Sequence, residues 1–417
     1  MKPALLAIQR GNAMNGKKQF WIGLTVGFVI TLVLVEAAVF GGKLLSSIRS
    51  SFTESSQADL TNEEVEEKLT EIEALMNAYY LEEIDPERVE DYLYKGVVAG
   101  LGDLYAAYYT KEEYQSMLES SNGSYCGIGV EMSQDMTTGI ITVMRVFEGS
   151  PAMEAGLCPG DILYMVEGRE VTGEDLNKVV SQIKGAEYTK AQITVLREGE
   201  EDYLELEVER RTIEVPSIAF EMLEDKVGYI AITSFDEVTA GQFAEALEEL
   251  EEQEMESLVV DLRNNGGGLV SSVCDILDQL LPEGLIVYTE DKYGVREEEV
   301  SDGAHYFDKP LVVLVNEYSA SASEIFAGAI KDYEIGTLVG TKTFGKGIVQ
   351  KIYPLHDGTA VKLTVSKYYT PKGNNIHGIG IEPDVKVELD ESLKYELEIP
   401  REKDLQLKKA LELLAVN

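Results

Sequence analysis

Three serines alternate with alanines in "NEYSASASEIFAGAI", residues 316–330, where an apolar run gives way to an amphipathic one. A serine hydroxyl at such a junction can cap a helix, and Ser321 with Glu324 has the spacing of a capping box. It can also attack a carbonyl, provided that a base takes its proton. A cap does not require Ala320 and Ala322, whose small side chains leave room for a substrate. The start of a helix also offers unbonded N–H groups and partial positive charge, suited to a developing oxyanion. On these residues alone, cap and nucleophile both stand.

The base must come from elsewhere in the chain. The only histidines, His305, His356 and His377, sit in no GxSxG setting. In "GTKTFGKGIVQ", Lys346 stands between Gly345 and Gly347 in what reads as an apolar strand. A lysine is a base only when neutral, and burial lowers its pKa toward that state. Serine–lysine pairs are a variant of the serine–histidine logic. Gln350, four residues on, falls on the same strand face and would hold the amine. The plainer reading of Lys346 is an exposed strand lysine, and Lys342 is a competitor without the glycine flank. Gly340, Gly345 and Lys346 nearly spell a phosphate loop, but Gly347 stands where Ser or Thr would hold magnesium. In "DLRNNGGGL" a buried strand ends in glycines. An N–H of Gly267 or Gly268 would join that of Ala322 in an oxyanion hole, the plain alternative being a tight turn.

A chain of 417 residues requires several elements to position these groups. Its formal net charge of −39 excludes a nucleic-acid-binding face. Cys126, Cys158 and Cys274 are far apart, and with no CxxC or HExxH the sequence calls for no metal and no organic cofactor. Residues 1–19 read as a cytoplasmic N-terminus with basic residues, and 20–40 as a transmembrane anchor. The basic flank puts the rest outside the cytoplasm, giving a single-pass protein of the cell membrane with its chemistry extracytoplasmic. "VEA" at 35–37 is a weak cleavage site, which favours a retained anchor over a signal peptide. Residues 41–60 read as a linker, 61–120 as a helical region, and 121–212 as short β-type runs between glycine-rich turns. Residues 213–388 alternate strands and helices, which predicts a layered α/β core. Residues 389–417 form an amphipathic helical tail, leaving room for a homodimer. The fold class is thus α+β multidomain.

Together these segments resemble the carboxyl-terminal processing (tail-specific) serine proteases. The resemblance runs from about Glu63 to Leu414. "GVVAGLGDLYAAYYTKEEY" is similar to the family's helical lead-in, and "GSYCGIGVEM" with "VFEGSPAMEAGLCPGDILYMVEG" to its PDZ module. "VVDLRNNGGGL", "SASASEIFAGAIKD", "GTKTFGKGIVQ" and "KYYTPKGNNIHGIGIEPDV" follow in the order of its catalytic core. The resemblance implies a serine endopeptidase with Ser321 as nucleophile, Lys346 as general base and Gln350 as its partner. Gly266, where proline is usual, and "GNNIHG" depart from the pattern without removing a catalytic group. The PDZ resemblance implies a carboxylate-binding loop of Gly127, Ile128, Gly129 and Val130, with the peptide added as a strand. Val179, Val180 and Ile183 would line a pocket for its last side chain, so substrates would end in apolar residues. In the family this module gates the active site. The rival readings are a non-catalytic PDZ scaffold on an inactive core and a protease that holds itself inactive until the groove is filled.

Overall fold

The computed structural model describes residues 59–393 and 399–415, so the anchor expected at 20–40 lies outside the described residues. No described helix is long and apolar enough to cross a membrane. The chain divides into two units at Asp85/Pro86. In the first, α1 (Glu63–Tyr79) starts at Asn62, whose side chain accepts the Val65 N–H at 3.0 Å. None of its residues is buried.

The second unit opens with α2 (Pro86–Ala99), with proline in its first turn where the missing N–H costs nothing. β1 (Ala107–Tyr109) follows, then α3 (Lys111–Asn122). A full capping box of Thr110 and Glu113 fixes the start of α3, and Gly123 in the left-handed region ends it.

The β-rich module is entered by β2 (Ser124–Gly127) and left by β9 (Arg211–Glu214), which pair antiparallel as a two-stranded ribbon. Between them lie β3 (Val130–Gln134), β4 (Ile141–Val146), α4 (Pro151–Glu154), β5 (Ile162–Val166), β6 (Arg169–Glu170), α5 (Leu176–Ile183), β7 (Lys190–Leu196) and β8 (Leu204–Glu209). Their sheet runs β3-β4-β5-β7-β8, with β6 against β5. Its core holds Ile141, Val143, Leu163, Val179 and Ile193.

The core domain comprises β10 (Ile218–Met222), β11 (Val227–Ile232), α6 (Thr239–Glu252), β12 (Ser257–Asp261), α7 (Val270–Asp278), β13 (Gly284–Asp291), β14 (Arg296–Ser301), β15 (Leu311–Val315), α8 (Ala322–Tyr333), β16 (Thr337–Gly340), β17 (Ile348–Pro354), β18 (Ala360–Tyr369), β19 (Val385–Lys386) and α9 (Leu405–Leu414). The central sheet runs β10-β11-β12-β15-β16-β19, parallel from β11 onward. β12 and β15 are buried along their whole length, which is why both read as unbroken apolar runs. Side chains alternate across the sheet: Leu258, Val260, Val313 and Val315 pack with α6, α7 and α8, whereas Val259, Val312 and Leu314 meet Leu407, Ala410 and Leu414 of α9. The apolar face of the tail helix is therefore spent within the chain. A second, antiparallel sheet runs β1-β18-β13-β14, with β17 also on β18. β1 of the lead-in and β17, which follows the Lys346 segment, pair with the same residues of β18 from its two sides.

Candidate active site

β15 ends at Val315 and α8 begins at Ala322, so the three serines occupy the turn between them. Two of their hydroxyls are committed. Ser319 donates to the Leu262 carbonyl at 2.8 Å and accepts the Asn316 N–H at 2.9 Å. Ser323 donates to the Asn265 carbonyl at 2.9 Å. Ser321 alone of the three lines a cavity of about 370 Å³. Its backbone sits at φ +56° and ψ −113°, a sparsely populated conformation for any side chain but glycine. The surroundings hold it there. Its carbonyl accepts the Tyr368 hydroxyl at 3.0 Å, and its N–H donates to the Glu324 carboxylate at 3.0 Å. The Glu324 N–H goes to the Ser321 carbonyl oxygen at 2.8 Å, so backbone groups close this end of the helix.

Glu324 does more than cap. Fully buried, it also accepts the Thr343 hydroxyl at 2.6 Å and the N–H groups of Gly345 at 2.7 Å and Lys346 at 2.8 Å. One carboxylate thereby joins the serine turn to the lysine segment. That segment is not the expected strand. β17 starts only at Ile348, because the donors of Gly345 and Lys346 are spent on Glu324 and cannot enter a ladder.

Lys346 and Gln350 line the same cavity as Ser321, with Gly266, Gly268, Phe235, Tyr368 and residues Met117, Ser120 and Ser121 of α3. No histidine lines it. Lys346 is half-buried. Burial, and then the charge of Lys362, push its pKa below the ordinary lysine value, against a smaller opposing pull from Glu324. Its Nζ lies 4.8 Å from the centre of the Tyr105 ring, and no hydrogen bond joins it to Ser321 or Gln350. Gln350 instead donates to the Thr364 hydroxyl at 3.3 Å. The alternation argument that pointed Gln350 at the amine fails for two reasons: Lys346 lies outside the strand, and the ladder is irregular between Val349 and Gln350.

The glycine loop contributes unequally. The Gly267 N–H is taken by the Asn265 side chain at 2.8 Å, so it does not face an oxyanion. Gly267 serves by its lack of a side chain: at φ +103° it packs so closely that a Cβ would stand 2.8 Å from that of Ser321 and 2.9 Å from the Ala322 nitrogen. The N–H groups of Gly268 and Ala322 have no partner among the described residues.

A second cavity, of about 570 Å³, runs along the β-rich module between β3 and α5. Gly127, Ile128, Val130, Val180 and Ile183 line it, whereas Val179 is wholly buried in the module's core and does not. Gly129 is not on its wall; its carbonyl accepts the Phe147 N–H at 3.0 Å. Sequence reasoning missed Tyr105, Asn265 and the wider role of Glu324. Only Glu324 carried a signal, as the third residue of a capping box.

The chain matches the family model described as peptidase family S41 over residues 226–387, and a PDZ domain model over residues 142–197. It is 37% identical over 322 residues to a carboxyl-terminal-processing protease of a Synechocystis species, covering 76% of this chain and 75% of that one. It is 35% identical over 335 residues to the carboxy-terminal processing protease CtpB of Bacillus subtilis, covering 79% and 69%. Among solved structures it matches a photosystem II D1 C-terminal processing protease at 30% identity and a TM-score of 0.44, over 76% of this chain and 86% of that one. At such identity over more than two-thirds of each curated relative, the chain belongs to peptidase family S41 and is a serine-type carboxyl-terminal processing peptidase with a PDZ domain.

Proposed function

We propose that this peptidase is anchored by residues 20–40, works outside the cytoplasm, reads the apolar C-terminus of exported or membrane-associated proteins in its PDZ groove, and cleaves them with a Ser321–Lys346 dyad. The observation that carries the dyad is a single cavity holding one uncommitted serine of the three and one lysine whose ammonium is disfavoured by burial.

Neutral Lys346 accepts the Ser321 proton as Oγ bonds to the peptide carbonyl carbon. The carbonyl oxygen becomes an oxyanion and turns to the Gly268 and Ala322 N–H groups. Lys346 then returns the proton to the leaving amine as the C–N bond breaks. In the second half it takes a proton from water, whose oxygen attacks the ester carbonyl, and gives it back to Ser321 Oγ.

The position of the Lys346 ammonium over Tyr105 favours a further element of the reading, a resting free state. For proton transfer, Nζ leaves that ring and comes within about 3 Å of the hydroxyl. The test is cleavage of a peptide with an apolar C-terminus by Ser321→Ala and Lys346→Ala. Each is expected to lose at least about a thousandfold in kcat with unchanged thermal unfolding. Substantial turnover by either folded variant overturns the dyad.

A further inference from the structure

The wall of the catalytic cavity carries two charged residues, Lys346 and Asp236. The proposed dyad uses the first and leaves the second without a task. Asp236 stands in the turn that leads into α6 and is 6% exposed. Its backbone N–H donates to the Thr239 hydroxyl at 3.0 Å, and its carbonyl accepts the Thr239 N–H at 3.3 Å. What it can offer the cavity is therefore its carboxylate. Oδ1 accepts the Thr239 hydroxyl at 2.8 Å and Oδ2 the Ser234 hydroxyl at 2.9 Å. Gly123, which ends α3, comes so close that a Cβ there would stand 2.4 Å from Oδ1. The group is thus held in place, with two of its roughly four acceptor positions filled by neutral donors. No cation pairs with it among the described residues. A carboxylate buried in that condition is costly until a cation arrives.

We propose that Asp236 is a specificity-determining residue, and that the cavity takes the side chain of a lysine or arginine beside the bond to be cut. The inference rests on the reading of Ser321 and Lys346 as the dyad of this cavity. Phe235, Val270 and Ile348 of the same wall suit the methylene stem of such a side chain, and Asp236 suits its charged head. An ammonium or guanidinium donates to the acceptor positions that Thr239 and Ser234 leave open, as a charge-assisted bond. An aliphatic side chain of equal length leaves the carboxylate buried without a cation. A glutamate brings a second negative charge to it. On this reading the two chambers read different parts of one substrate, an apolar tail in the groove and a basic residue at the cut.

The test is kcat/KM of the full chain for peptides that share one apolar C-terminus. Each position flanking the cut bond is in turn lysine, norleucine or glutamate. Lysine at one of these positions is expected to be favoured about tenfold over norleucine and about a hundredfold over glutamate. Equal rates for lysine and norleucine at every position overturn the proposal with the unaltered protein alone. Asp236→Asn keeps the shape and removes the charge, and the lysine-to-norleucine ratio is expected to fall to about one. A merely structural loss would slow both peptides alike and leave that ratio where it was. A ratio that stays near tenfold in the folded variant shows that another group reads the cation, and overturns the assignment to Asp236. Ser321→Ala, run on the same peptides, separates the two readings. If it cleaves as fast as the unaltered protein, the dyad falls and this proposal with it. If it is silent while the unaltered protein shows no lysine preference, only the specificity is overturned.

Discussion

The Lys346 ammonium rests on the face of Tyr105, 4.8 Å from the ring centre, with no hydrogen bond to Ser321. The ring favours the charged form, whereas burial and Lys362 disfavour it. Tyr105→Leu removes the first pull, worth about 0.5–2 kcal/mol. The expected result is a kcat at neutral pH raised about threefold or more, consistent with that energy. A slower enzyme with an unmoved pH profile would show that the ring assists the chemistry.

The same lysine sets the sign of the pH dependence. Its pKa is below the ordinary value, and in the proposed dyad only the neutral amine accepts the serine proton. Activity is therefore expected to climb with pH through that lowered pKa and to be lost as pH falls below it. Rates in a range where the fold is intact by circular dichroism test this. Tyr105→Leu is expected to move the limb to lower pH.

Glu324 accepts donors from both sides of the site, namely the Ser321, Gly345 and Lys346 N–H groups and the Thr343 hydroxyl. Glu324→Gln replaces one acceptor oxygen by an NH2 that faces donors. The loss of stability is expected to be about 3 kcal/mol, from a buried network left partly unsatisfied. Activity should fall more than stability explains, about a hundredfold, because the lysine segment loses its tether. Denaturant unfolding and kcat, measured on the same sample, separate the two.

Adjacent glycines are expected to answer differently to alanine. At Gly267 the positive φ and a Cβ only 2.7 Å from the Ala320 carbonyl oxygen make the change costly, and activity should drop at least about a hundredfold. At Gly266 a Cβ meets nothing within 4 Å, and the protein should keep its activity with a gain of up to about 1 kcal/mol. Equal behaviour of the two variants would remove the argument that Gly267 is needed for close approach to Ser321.

The side chain of Arg263, two residues past the end of β12, is buried between Asp261 and Asp404, with Nη2 2.9 Å from the Asp404 carboxylate and Nη1 3.0 Å from Gln406. Asp404 also caps α9 through the N–H groups of Gln406 and Leu407. Arg263→Met strands two buried carboxylates and is expected to cost about 3–5 kcal/mol. Limited proteolysis should then cut within 405–414. Arg263→Lys should rescue little, since an ammonium cannot reproduce the fork.

What the sequence disclosed follows the range of its signals. β12 and β15 are buried on both faces, so continuous apolar runs marked them without ambiguity. Ser321 stood out because its neighbours are small. The helix of the PDZ groove was found, but its phase was read one residue too broadly: Val179 faces only the core, whereas Val180 turns toward the groove and Ile183 touches both. Lys346 looked like a strand residue because the donors' true partner, Glu324, lies 22 residues earlier in the chain. Tyr105 gave no local sign at all. It reaches the lysine only because β1 joins the edge of the second sheet through β18.

Helix α3 has a hand in both chambers of this enzyme: Glu119 holds Lys184 at the groove, and Met117, Ser120 and Ser121 wall the catalytic cavity. Its two ends are tied, by Thr110 with Glu113 and by Gly123. On the proposed reading of the groove, a substitution in α3 that changes which tails are admitted is therefore expected also to change how fast they are cut.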